Sequence, residues 1–270
     1  MEGVSHGIPN HLPVQDNALK INFSLLLLRL EKIMHVILSP RLLKALYAHR
    51  VLAGTEHRSI LKTHLVTVVD VGANRGQFAL AARKWANKAT IISFEPLADP
   101  ADRFRKVFQN DPGVTLFQAA VGPRAGETTI HVSAADDASS LLPIGPLQEQ
   151  LFPGTNEIRA EAIRIGPLSD FIDHEAIVSP AMLKLDVQGY ELEALRGCEE
   201  LLGRFSYVYV ECSFVELYVG QAMVDDVIVW LHERGWVLSG VYNVIKEHRG
   251  RSIQSDFLFR NSYLGQSTVT

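Results

Sequence analysis

Cysteine is nearly absent: Cys198 and Cys212 are the only two in 270 residues. Two thiols cannot staple a chain of this length, which excludes a disulfide-built secreted scaffold. Reduced core thiols in a cytoplasmic protein are expected, one on a predicted helix and one on a predicted buried strand. A basic surplus is also missing. Lys and Arg number 26 against 30 Asp and Glu, a formal charge of −4, which argues against a general nucleic-acid binder. The ten histidines are scattered, and no pair has a close metal-ligand spacing.

Near the N-terminus no apolar run is long enough to cross a membrane. The charge-free stretch Ile21 to Leu28 ends at Arg29, Glu31 and Lys32, far short of the roughly 20 residues a bilayer span needs. No small-residue cleavage site of signal-peptide type follows it. Leu27, Leu30, Met34 and Ile37 recur at helical spacing, so residues 20–46 read as an amphipathic helix. Packing on the rest of the chain is the expectation, with membrane-surface contact or dimerisation as alternatives. The sequence does not define an oligomeric state.

What is present is ordinary for a globular enzyme, at 47% hydrophobic and 21% charged residues. The expected division is an N-terminal helical extension over 1–62, an α/β domain over 63–262 and a tail over 263–270. Strands and helices alternate in the manner of a parallel sheet. Strands are expected at 65–71, 90–94, 114–121, 127–132, 161–165, 181–187 and 206–212. Helices are expected at 77–87, 99–109, 191–202 and 224–234, with a short one at 167–173. Segments 236–244 and 252–259 close the chain as a pair of antiparallel strands at the sheet edge. Residues 134–157, rich in Ser, Pro and Gly, read as a long functional loop over the substrate.

The sequence concentrates its chemistry at two turns. In Val68-Val69-Asp70-Val71-Gly72-Ala73-Asn74-Arg75-Gly76 an apolar strand runs into a glycine turn and then a helix. Such a turn lets backbone approach a ligand, and the helix start offers free N–H groups. Glu95, in Phe94-Glu95-Pro96, ends the next strand, where nucleotide folds place a carboxylate for the ribose hydroxyls. A dinucleotide enzyme favours a third glycine where Asn74 stands, and Asp70 would repel a pyrophosphate. An amino group is welcome there, so S-adenosylmethionine is preferred over a nicotinamide. Gly72, Ala73 and Gly76 are assigned to the turn, Asp70 and Asn74 to the methionine end. Glu95 is assigned to the ribose and the Ala120 backbone to the adenine.

The second turn is Leu183-Lys184-Leu185-Asp186-Val187-Gln188-Gly189-Tyr190-Glu191. Asp186 ends an apolar strand, and ligands in open α/β sheets bind beyond the carboxyl ends of strands. Glu211 ends the following strand. Either carboxylate serves as the candidate base; Gln188, Glu191 and Ser140 are candidate substrate contacts. The alternative role for Glu191 is a helix-dipole partner.

With these motifs in order, and with Ala119-Ala120-Val121-Gly122 and Ser139-Ser140-Leu141 between them, residues 64–260 resemble the FkbM family of S-adenosylmethionine-dependent methyltransferases. The resemblance implies a class I methyltransferase fold, a mostly parallel Rossmann-like sheet with helices on both faces. It also implies O-methylation of a hydroxyl on a sugar, glycolipid or polyketide. The family often carries glutamate where this chain has Gln188, which moves any base or cation-ligand role to Asp186 or Glu211. A divalent cation held by these acids is left open. The rival readings are a nicotinamide-dependent oxidoreductase and a non-catalytic cofactor-binding module.

Overall fold

The computed structural model describes residues 34–264. Most of the expected helix at 20–46 therefore lies outside the described residues. Among the described residues ten strands form two sheets. β1 (Thr67–Val71), β2 (Thr90–Phe94), β3 (Val114–Phe117), β7 (Ala181–Leu185), β8 (Tyr207–Ser213), β9 (Trp236–Lys246) and β10 (Ser252–Asn261) make the larger one. Its order is β3-β2-β1-β7-β8-β10-β9. The smaller one joins β4 (Ala120–Val121), β5 (Gly126–Ser133) and β6 (Glu157–Gly166) in the order β4-β6-β5.

β1, β2, β3, β7 and β8 pair in parallel, and β10 runs against both β8 and β9. Every residue of β1 and β7 is buried, as expected for central parallel strands covered on both faces. Alternate residues feed opposite cores. Val69, Leu183 and Val208 pack with α6 (Glu191–Gly197), α7 (Glu199–Leu202) and α8 (Val224–His232). Val68, Ile91 and Met182 pack on the other face with α1 (Pro40–His49), α2 (Arg58–Leu61), α3 (Gln77–Trp85) and α4 (Ala98–Phe108).

Four expectations change. The strand expected over 114–121 is two, because the chain leaves the main sheet after Phe117 and β4 pairs with β6 instead. The helix expected over 191–202 breaks at Cys198, where Gly197 lies against the Gly122 backbone so closely that a Cβ would sit 2.6 Å from it. The short helix expected over 167–173 is only a 3-10 turn, Leu168–Asp170. Residues 134–157 are not an irregular loop. They hold a 3-10 turn, the helix α5 (Pro146–Leu151), and bridges from Ser140 to His131 and from Ile144 to Tyr218. Both cysteines are buried and unpaired.

The N-terminal segment packs on the domain, though not by the expected face. Met34 and Ile37 are exposed, while Val36, Leu42, Ala45, Val51 and Ala53 enter the core that α3 and α4 also feed. Among the described residues no helix is long and apolar enough to cross a membrane. A chain lacking residues 1–53 is expected to aggregate, or to melt lower by about 10 °C or more, because a face of the core is uncovered. An unchanged melting curve would show that this segment is dispensable to the fold.

Candidate active site

A cleft of about 270 Å³ opens beyond the carboxyl ends of β1, β2 and β7. Of the residues nominated from the sequence, Gly72, Ala73, Asn74, Glu95, Ala120, Ser140, Asp186 and Gln188 line it. Asp70, Gly76, Glu191 and Glu211 lie behind the wall.

Backbone contacts bring the two turns together. Gly72 has φ +78°, and a Cβ there would lie 1.8 Å from the Asp186 carbonyl oxygen. The Asp186 N–H donates to the Val71 carbonyl at 3.1 Å. Only glycine allows this approach, and it sets Asp186 beside the first turn. Gly76 also has positive φ, but a Cβ there would strike the rings of Phe104 and Phe108. Its role is helix packing.

Glu95 is 6% exposed. Its Oε2 accepts the Asn74 N–H at 2.9 Å and its Oε1 the Leu97 N–H at 2.8 Å. Burial pushes its carboxyl up to about 7, against those two bonds. Each oxygen keeps a second lone pair, so the pair of oxygens still matches a vicinal diol. The side-chain oxygens of Asn74 and Gln77 have no hydrogen-bond partner among the described residues, and both residues line the cleft. Leu97 and Ile130 pack with Ala120 and Leu141 into an apolar wall. A diol, a hydrogen-bond-donating amine and a flat apolar ring are what such a surface accommodates, and the adenosyl and amino groups of S-adenosylmethionine supply all three.

Lys184 is the chief residue that the sequence reading missed. A lysine inside the apolar strand Ala181–Leu185 is itself a signal, since a lone buried ammonium is too costly to keep. Its Nζ lies 3.0 Å from Asp70 Oδ1 and 3.6 Å from Asp186 Oδ2, and donates to the Gly72 carbonyl at 3.0 Å. Burial opposes its charge, but Asp70 and Asp186 more than offset this and raise its pKa. Asp70 is fully buried and is the counter-ion of Lys184. It does not reach the cleft wall.

The remaining candidates are tied to one another. Gln188 donates to Asp186 Oδ1 at 2.7 Å and to Glu211 Oε2 at 3.2 Å, and its Oε1 accepts from Tyr218 OH at 2.8 Å. Its amide is thus committed to holding two carboxylates side by side. Glu211 also accepts from Gln254 at 2.7 Å; burial, then Asp186, pushes its pKa well up. Glu191 accepts the N–H groups of Val187 at 3.0 Å and Gly189 at 3.1 Å, which clamps the turn carrying Asp186. Ser140 donates to the Gln188 carbonyl at 2.6 Å, pinning the 134–157 segment over the same turn. Among the described residues no group of three or more His, Cys, Asp or Glu side chains is arranged to hold a metal ion.

A mostly parallel open sheet with an acid just after β2, a glycine turn after β1 and a cleft between them defines a Rossmann-like fold of the class I methyltransferase type. The chain belongs to the FkbM methyltransferase family, whose domain model matches residues 70–238. It is 26% identical over 215 residues to the 2-O-methyltransferase NoeI of Sinorhizobium fredii, covering 76% of this chain and 84% of that one. It is 27% identical to the hexuronic acid methyltransferase AglP of Haloferax volcanii over 53% of this chain and 54% of that one. Among solved structures, Sp1610 of Streptococcus pneumoniae in complex with S-adenosyl-L-methionine superposes with a TM-score of 0.45 at 12% identity, over 80% of this chain and 74% of that one.

Proposed function

We propose that the protein transfers a methyl group from S-adenosylmethionine to a hydroxyl of a sugar-containing acceptor. The observation that carries this reading is the shared cleft of Glu95 and Asp186. In this reading one carboxylate takes a ribose diol and the other an acceptor hydroxyl, at the ends of the two strands that flank β1. The names of NoeI and AglP, one a 2-O-methyltransferase and one acting on a hexuronic acid, support a sugar acceptor. Release of S-adenosylhomocysteine, measured against a panel of mono- and oligosaccharides, tests it. Turnover on polyketide or protein acceptors alone would sink the sugar assignment.

In this reading Glu95 takes both ribose hydroxyls, and the side-chain oxygens of Asn74 and Gln77 take the amino group. The wall of Leu97, Ala120 and Ile130 faces the adenine. When bound, the sulfonium supplies an already activated methyl, so the protein has only to align the attacking oxygen and manage its proton. Asp186 accepts the hydrogen bond of the acceptor hydroxyl and fixes its direction. Lys184 and the Gln188 amide hold Asp186 in place while it does so. Glu211 acts behind it, through Gln188, as a positioning group.

The Glu95 carboxyl titrates near 7, above its ordinary 4.5. Only its ionised form accepts from both hydroxyls of a diol. Affinity for S-adenosylhomocysteine is therefore expected to be level above pH 7 and to weaken below it, by at most about tenfold per pH unit. Glu191 titrates in the same range, so Glu95→Gln is the control. A calorimetric pH series that keeps its slope in Glu95→Gln would assign the effect elsewhere.

A further inference from the structure

His57 lies outside the residues that the family model matches, in the 3-10 turn Thr55–His57. It nevertheless lines the same cleft as Glu95 and Asp186. Its side chain is 16% exposed, set edge-on to Phe78 and Tyr209 with ring centroids 5.1 and 5.6 Å away.

Three residues from three strands fix its protonation pattern. Tyr209 OH, on β8, donates to Asp256 Oδ2, on β10, at 2.8 Å. Asn243, on β9, donates to the same oxygen at 2.6 Å. A phenol has one proton, and once Asp256 holds it the Tyr209 oxygen can only accept. His57 Nδ1 is 3.0 Å from that oxygen and 3.5 Å from the Asn243 amide nitrogen; the shorter contact is satisfied when Nδ1 carries the hydrogen and donates it. Nε2 is then left with its lone pair. This is the arrangement by which a carboxylate, acting through a hydroxyl, sets a histidine tautomer for base chemistry.

We infer that His57 is a catalytic residue whose Nε2 takes the proton that the acceptor hydroxyl loses during methylation. The inference rests on the O-methylation reading above. The oxygen–carbon bond forms as the carbon–sulfur bond breaks, with the electron pair going to sulfur. The hydroxyl proton moves to Nε2, and the positive charge passes from sulfonium to imidazolium. Asp256, 3.7 Å from Nδ1, and Glu56, 4.0 Å from Nε2, stabilise that imidazolium until the proton leaves to water.

The division of labour follows from the surroundings. Asp186 is already engaged by Lys184 at 3.6 Å and by Gln188 at 2.7 Å, which suits it to orient a hydroxyl rather than to strip it. Burial lowers the His57 pKa, opposed by Asp256 and Glu56, while Lys184 lowers it and Asp186 raises it. The resting ring is therefore neutral at neutral pH and can accept. No sequence motif announces this, because its partner Tyr209 is 152 positions away.

The test uses the full chain and a saccharide that the wild-type enzyme methylates. His57→Gln is expected to lower kcat by about 10²-fold or more and to remove the acidic limb of the kcat–pH profile. S-adenosylhomocysteine affinity should stay within about twofold. Tyr209→Phe, which keeps the ring but loses the acceptor for Nδ1–H, should move that limb and retain part of the activity. Nitrogen NMR of the unmutated protein gives a readout independent of turnover and of any folding defect, with the Nδ1–H tautomer expected for His57. An Nε2–H tautomer, or His57→Gln with wild-type kcat and pH profile, overturns the inference alone. A wild-type protein that methylates no saccharide overturns the reading beneath it.

Discussion

Lys184→Met is expected to destabilise the fold by about 3–5 kcal/mol, the scale of breaking a buried ion pair from one side. The loss arises at Asp70, which has no exposure and loses its counter-ion 3.0 Å away. Burial already raises the Asp70 pKa, with Lys184 opposing, so the variant raises it further. A carboxyl with a raised folded pKa is penalised above its unfolded pKa and relieved as pH falls. The deficit of Lys184→Met should therefore shrink in acid, and the double variant Asp70→Asn/Lys184→Met should recover most of it. Denaturant unfolding at two pH values measures both effects. A single variant as stable as the wild type at neutral pH would show that the pair does not matter to the fold.

The second large effect is on turnover. Asp186→Asn preserves shape and keeps an oxygen, but removes the anion that directs the acceptor hydroxyl. Removing one preorganised group of this kind costs about 10²–10³ in kcat. Cofactor affinity should barely change, because Asp186 lies across the cleft wall from the Glu95 end in this account. The asparagine can keep its side-chain oxygen toward the Gln188 amide, 2.7 Å away, so folding should survive. Wild-type turnover in a folded Asp186→Asn protein would reduce Asp186 to a structural counter-ion of Lys184.

Much of this site is written locally in the chain. Asp70, Glu95 and Asp186 each close or follow an apolar run, and a run of that kind ending in acid marks the rim of a parallel sheet. Period and turn residues therefore located the main strands and the glycine turns. They could not tell Asp70, which points into the core, from Glu95, which faces the cleft. That difference depends on Lys184, which arrives from a strand more than a hundred residues later. The second sheet was equally hidden. Nothing at Gln118-Ala119 signals that the chain leaves β2, since β4 is defined only by pairing with Ile165 and Gly166. Likewise, Gln188 reads as a polar residue available to substrate. Only the fold reveals that Asp186, Glu211 and Tyr218 occupy its amide.

We propose that this cleft binds S-adenosylmethionine through the Glu95 carboxylate. Calorimetric titration of S-adenosylhomocysteine into wild-type protein and Glu95→Ala at pH 8 tests it most directly. The account predicts saturable one-site binding to the wild type, and an affinity weaker by about 2–4 kcal/mol in the variant, the loss of two charge-assisted hydrogen bonds. A folded Glu95→Ala protein that binds as tightly as the wild type would contradict it.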